Sequence, residues 1–159
     1  MIVVTFGTSP FPFHRAVTWL DRLLSSGIIA EPVILQHGST PVSGLRHPLV
    51  SSYLSIPLGE MGDRLRRASL VISHAGQGST RLLASLGVPF VLLPRLKRYR
   101  EHIDDHQLLF AQAVSRLGVL YCTEYDELAR YLCDRPAPMT KQLFEAPLLA
   151  DHLLACYPR

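Results

Sequence analysis

The chain has 159 residues, of which 48% are hydrophobic and 18% charged, with 16 basic and 13 acidic side chains and a net charge of +3. That length fits one domain with a substantial core, and the near balance of charge lacks the strongly basic face of a nucleic-acid binder. The cysteines, Cys122, Cys133 and Cys156, are odd in number and lack metal-ligand spacing, which argues against a disulfide framework or a zinc site and for reduced thiols.

In chain order, Ile2 to Phe6 is apolar and β-branched, and Gly7-Thr8-Ser9-Pro10 ends it, so it reads as a buried strand entering a ligand-side loop. Phe13 to Leu24 puts Phe13, Ala16, Val17, Leu20, Leu23 and Leu24 on one helical face, closed by Gly27. Pro32 to Gln36 is a second strand, His37 to Gly44 a turn-rich loop, Leu49 to Ile56 a third strand and Met61 to Arg67 a short helix. Ser69 to Ser73 reads as a strand, Ser79 to Leu86 as a helix stopped by Gly87, and Pro89 to Leu93 as a strand ended by Pro94. Asp104 or Asp105 can cap a helix running to about Arg116, with Gly118 after it. A strand over Val119 to Cys122 and a helix over Glu124 to Cys133 follow. Arg135-Pro136-Ala137-Pro138 is a hinge-like break before a last helix over residues 139 to 156, bent at Pro147. Strands that are apolar throughout, alternating with helices, predict an α/β fold: a single Rossmann-like, doubly wound parallel sheet spanning residues 1–159. The apolar opening is too short for a signal peptide or a membrane span, and no later stretch reaches spanning length without charges, so a cytoplasmic location is expected.

Ligands in such sheets bind at the carboxyl ends of the strands. The segment Val71-Ile72-Ser73-His74-Ala75-Gly76-Gln77-Gly78-Ser79-Thr80 delivers a histidine and a glycine-rich turn there, at the start of a helix. Unpaired backbone N–H groups and the positive end of the helix dipole suit a phosphate, and glycines let it approach the backbone. His74 and the Ser79 and Thr80 hydroxyls are expected to aim at that point. A second polar loop, Arg95 to Gln107, also opens a helix. Its Glu101, Asp105, His106 and Gln107 suit a polyhydroxylated ligand, because sugars need many paired donors and acceptors. The rival motifs fit less well. His102, Asp104, Asp105 and His106 would share a helix face only if the helix began before its cap, so no metal site is expected. No Gly-x-Ser-x-Gly elbow, full dinucleotide fingerprint or P-loop lysine is present.

These motifs carry a resemblance. The His74 to Ser79 string, then Gly87-x-Pro89, Pro94-Arg95 and Glu101-His102-x-Asp104-Asp105-His106-Gln107, is similar to the C-terminal domain of family 28 glycosyltransferases. Val4-Thr5-x-Gly7-Thr8, Pro12-Phe13, Gln36-x-Gly38 and Glu60-Met61 extend the likeness over nearly the whole chain. It most resembles the small donor-binding subunits of split enzymes that build lipid-linked oligosaccharides and exopolysaccharides. The resemblance implies the C-terminal half of a GT-B glycosyltransferase, with a UDP-sugar as donor substrate and no further cofactor. A membrane-associated partner subunit would hold a lipid-linked sugar acceptor, and peripheral attachment at the inner membrane face would come through that partner. A homo-oligomer is compatible with the sequence.

By position, Gly7 and Thr8 would lie near the interdomain cleft. His74, Gly76, Gly78, Ser79 and Thr80 would hold the diphosphate, with His74 a candidate for stabilising the leaving group. Asp105, His106 and Gln107 would belong to the donor-sugar side, with Arg95 and Glu101 lining the same pocket. Two departures stand out. Relatives commonly place a ribose-binding glutamate where this chain has Leu82, and a glycine where it has Arg100. Arg100 is compatible with an acidic donor such as a uronic acid. The implied reaction is inverting transfer of a hexose or uronic acid, with the general base supplied by the partner. The alternative is a non-catalytic nucleotide-sugar-binding or scaffolding subunit, and an epimerase would need a second domain. The last helix either packs back on the domain or contacts the partner.

Overall fold

Branched apolar residues run without a polar break through residues 2–4 and 70–72, and both stretches are buried. Such runs are stable only in a sheet covered on both faces. The computed structural model describes residues 1–139 and has this sheet. In chain order it contains β1 (Ile2–Thr5), α1 (His14–Ser25), β2 (Val33–Gln36), β3 (Val50–Tyr53), α2 (Leu58–Arg66), β4 (Leu70–Ser73), α3 (Gln77–Leu86), β5 (Phe90–Leu92), α4 (His106–Ser115), β6 (Leu120–Tyr121) and α5 (Tyr125–Cys133). The six strands lie in the order β3-β2-β1-β4-β5-β6, every neighbouring pair parallel. This is the doubly wound α/β arrangement expected from the sequence.

The pleat sorts the core into two layers. Ile2 and Val4 of β1, with Leu70 and Ile72 of β4, pack under α1 and α5 against Leu20, Leu23, Leu128 and Leu132. Val3 and Val71 point the other way, onto Met61 of α2, Leu83 of α3 and Ala111 of α4. Reversal of the winding places β1 beside β4, and the loops leaving these two strands diverge to opposite faces. That is where doubly wound sheets open a binding crevice.

Several boundaries differ from expectation. The third strand ends at Tyr53 rather than Ile56, and residues 54–57 leave the sheet to reach α2. That helix starts at Leu58, three residues before Met61, because Pro57 occupies its N-cap and accepts the Met61 N–H at 2.9 Å. The helix after β4 starts at Gln77 rather than Ser79, with Gly76 as its N-cap. Trp19, outside the expected apolar face of α1, is buried with it. The final helix expected beyond residue 139 lies outside the described residues, as does Cys156. Cys122 is buried, and burial pushes its thiol up to about 12, so it is inert; Cys133 is exposed. Among the described residues no helix is long and apolar enough to cross a membrane.

Between β5 and α4 a single 3-10 turn, Lys97–Tyr99, closes on Arg100 at φ +57°. Arg100 is the non-glycine residue at positive φ among the described residues. Arg100→Gly is therefore expected to raise unfolding stability by roughly 0.5–1 kcal/mol, the left-handed strain exceeding the entropy cost of glycine. Urea denaturation checks this, and a lowered midpoint would show that the arginine's contacts outweigh the strain.

Candidate functional site

The loops leaving β1 and β4 meet through glycine. Gly7 sits at φ +70°, and a Cβ on it would lie 2.5 Å from Cε1 and Nε2 of His74. A Cβ on Gly76 would lie 2.4 Å from the same Nε2. The imidazole is thus held between two backbone segments that come this close because neither carries a side chain. Gly38, at φ +56°, completes the stack: its Cβ would lie 2.5 Å from the Gly7 carbonyl oxygen. The His74 N–H donates to the Thr5 carbonyl at 3.0 Å and the Gly76 N–H to the His74 carbonyl at 2.9 Å, so the turn is locked to β1.

Burial, with a smaller push from the Arg95 charge, lowers His74 to about 4. The ring is therefore neutral near pH 7 and offers one N–H rather than a cation. Its Nδ1 is buried with no hydrogen-bond partner among the described residues. Beside it α3 begins on Gly76, which has no side chain to cap the helix. The amides of Gln77, Gly78 and Ser79 occupy the first turn, where N–H groups lack intrahelical acceptors. An open cleft of about 280 Å³ runs from this point, lined by Gly7, Thr8, His74 and Ser79 on its polar side. Ile56, Leu58, Met61, Leu65, Leu82 and Leu83 form its apolar side.

Of the expected site residues, Gly7, Thr8, His74 and Ser79 line this cleft and Gly76 frames its turn. Gly78 faces a separate depression with Gln77, Arg81 and Phe110, on the far side of the same helix end. Thr80 does not offer its hydroxyl as expected: it is fully buried and donates to the Gly76 carbonyl at 2.9 Å, bracing the turn from behind.

Arg95 and Glu101, expected to line the pocket, are buried inside the protein instead. The Arg95 guanidinium donates to the carbonyls of Phe11 (2.6 Å), Phe6 (2.9 Å) and Glu101 (3.3 Å) and lies over the Phe13 ring. Burial lowers Arg95 to about 10, with Glu101 opposing, so it stays charged. The Glu101 carboxylate takes a bidentate grip from Arg15, at 3.0 and 2.8 Å, and accepts the Leu96 N–H at 3.0 Å. Arg15 is the residue the sequence reading missed; nothing but its place on the half-buried side of α1 could have signalled it.

The remainder of the second loop is also engaged internally. Gln107 accepts the Arg95 N–H through Oε1 at 3.1 Å. Asp105 is the N-cap of α4, yet its carboxylate accepts the Lys97 N–H at 2.9 Å and faces a depression toward β6. Asp104 accepts the His106 N–H at 3.2 Å and pairs with the exposed His106 ring and with His102. Arg100 lies in a larger, 710 Å³ depression against α1, with Trp19, Tyr99 and Tyr125, so its placement gives no support to an acidic donor in the His74 cleft. That depression borders the starts of α1 and α5, but it does not include the β1–β4 crossing that singles out the His74 cleft. Among the described residues no group of three or more His, Cys, Asp or Glu side chains is placed to hold a metal.

Comparison with known proteins bears on the family and the fold. The family model for the glycosyltransferase family 28 C-terminal domain matches residues 1–146. A UDP-N-acetylglucosamine–N-acetylmuramyl-(pentapeptide) pyrophosphoryl-undecaprenol N-acetylglucosamine transferase of Trichormus variabilis is 37% identical over 78 residues, covering 48% of this chain and 20% of that protein. The enzyme of the same name from Paramagnetospirillum magneticum is 31% identical over 105 residues, 66% of this chain and 25% of that protein. The chain thus spans a quarter or less of the length of these relatives. Among solved structures, the glycotransferase of kitacinnamycin superposes with a TM-score of 0.64 at 18% identity, covering 97% of this chain and 37% of that one. The solution structure of ALG13 gives 0.60 at 18% identity and covers 89% of both chains. At such identities these two likenesses establish the fold.

The cleft makes two predictions. The unfolded chain protonates His74 near 6.5 while the folded chain resists until about 4, so stability is full above pH 6.5 and falls as pH drops toward 4. That loss reaches at most about 3 kcal/mol. Chemical denaturation of wild type and His74→Gln between pH 4 and 7 reads it as a steeper pH slope in wild type than in the variant, which keeps the contribution of carboxylates such as Glu31. Gly76 has an ordinary φ of −82°, so Gly76→Ala isolates the steric effect. It is expected to displace the imidazole and cost about 1–3 kcal/mol; an unchanged denaturation midpoint would show that the ring is free to move.

Proposed function

The chain belongs to glycosyltransferase family 28, through the C-terminal domain of that family, and on this premise we propose that it is the donor-binding subunit of a UDP-sugar-dependent inverting glycosyltransferase. It transfers a hexose or uronic acid to a lipid-linked acceptor in surface polysaccharide synthesis, working with a membrane-associated partner that binds the acceptor and holds the chain at the inner membrane face. The observation that carries this reading is the uncapped start of α3 beside a neutral imidazole at the β1–β4 crossing. Sugar transfer from a nucleoside diphosphate leaves negative charge on the β-phosphate. Preorganised backbone N–H groups and a helix N-terminus meet that charge without reorganising. The His74 imidazole adds one N–H, and the Ser79 hydroxyl another donor, on the same side of the cleft. The diphosphate is held by the protein alone in this scheme, and no cofactor besides the donor is invoked.

The acceptor hydroxyl must lose a proton to a base. Among the described residues no carboxylate lines the cleft, and His74 is a weak base, so the base comes from the partner. The same observation favours a second reading, a subunit that binds the nucleotide-sugar without performing chemistry.

Calorimetry with UDP is the direct test. His74→Ala and Ser79→Ala are each expected to weaken binding about ten-fold, the scale of one lost hydrogen bond to a charged group. Unchanged affinity would sink the site assignment. Donor consumption measured with and without membranes containing the partner then separates the two readings. Turnover that requires the partner supports the transferase, and full turnover by the isolated chain would remove the partner's role.

A further inference from the structure

The helix face that carries Ser79 continues to Leu82, three residues and about 4.5 Å further along the axis. Both side chains line the same cleft. A diphosphate seated at the open amides of α3 therefore sends its nucleoside along this face and past Leu82. The opposite wall there is Ile56, Met61 and Leu58, and Leu58 is 77% exposed, a large apolar side chain standing uncovered at the mouth. Among the described residues no acidic side chain lines the cleft; the polar lining next to Ile56 is the Ser55 hydroxyl and Gln36, whose Oε1 already accepts the Ile56 N–H at 3.2 Å.

A ribose presents two adjacent hydroxyls that need hydrogen-bond partners when they leave water. A leucine supplies none. It does supply van der Waals contact to the sugar ring, which is the same whether or not C2′ bears oxygen. We propose that Leu82 is a specificity-determining residue that makes the site indifferent to the 2′-hydroxyl, so that it accepts ribonucleoside and 2′-deoxyribonucleoside diphosphates alike. The nucleoside is held by the apolar wall, and recognition falls on the diphosphate at one end and the base edge at the other. This inference rests on the nucleotide-sugar reading above and names the class of donor that the reading leaves open.

The test is calorimetric titration of the full chain with UDP and with 2′-deoxyuridine 5′-diphosphate. The two dissociation constants are expected to agree within about three-fold in wild type. In Leu82→Glu, whose carboxylate can accept from the hydroxyls, UDP is expected to be preferred at least about ten-fold. A ten-fold preference for UDP in wild type would overturn the inference while leaving the nucleotide-sugar reading intact. Binding of neither nucleotide would overturn both. Leu82→Gln, uncharged and close to leucine in size, serves as the second variant. If both variants fold by circular dichroism and neither gains a preference, Leu82 is not the determinant.

Discussion

Everything at the carboxyl edge of the sheet depends on one buried cation. Arg95 leaves β5 and spends its guanidinium on backbone carbonyls of the loop that follows β1, tying the two loops together across the sheet edge. A charge removed from water is tolerated only when it is paired and hydrogen-bonded. Arg95 also donates to the Glu101 backbone carbonyl, and the Glu101 carboxylate, which is itself held by Arg15, acts on it through space. The cluster holds two positive charges against one negative, so a residual positive potential sits behind the cleft. It reaches His74, where it helps keep the imidazole neutral. Arg95 thus acts on the site by position and field rather than by touching a ligand, and an anion entering the cleft meets a favourable potential as well as open amides.

The fold was legible because its signal is local. Uninterrupted apolar strands, punctuated by Gly7, Gly76, Gly87 and Gly118, can hardly pack except as a covered parallel sheet. The turn that brings His74 and Ser79 to one cleft was legible for a related reason: His74, the glycines Gly76 and Gly78, and Ser79 lie within six residues of one another. The second loop misled because its partners are far away in sequence. Glu101 and Arg15 are 86 positions apart, and Arg95 and Phe11 are 84. A charged residue buried by a distant partner looks, in sequence, like one that faces solvent or a sugar. Thr80 shows the same limit at short range, since a hydroxyl on the first turn of a helix can point to a ligand or back to the i−4 carbonyl. The start of α2 was misplaced because Pro57, an ordinary strand terminator, also serves as an N-cap.

The site divides into ends of different character. At the His74 end the donors are backbone amides and a neutral ring, fixed by glycine contacts that permit little adjustment. At the Leu82 end the wall is aliphatic, with the buried Ile56, Leu65, Leu83 and adaptable Met61 behind it and Leu58 exposed at the mouth. Rigid polar geometry suits an anionic group such as a phosphate. A deformable apolar surface suits a group that is only carried along.

The uncapped start of α3 has a consequence for the protein at rest. One helix, α5, closes its first turn from within, where Glu124 and Glu127 cap each other's amides. The helix after β4 has no such cap, so its first amides, beside the cleft, are left without a side-chain acceptor. An anion bound there is the missing cap. Were an anion to bind there, occupancy and local folding would be one equilibrium, and hydrogen exchange at Gln77, Gly78 and Ser79 would report both at once.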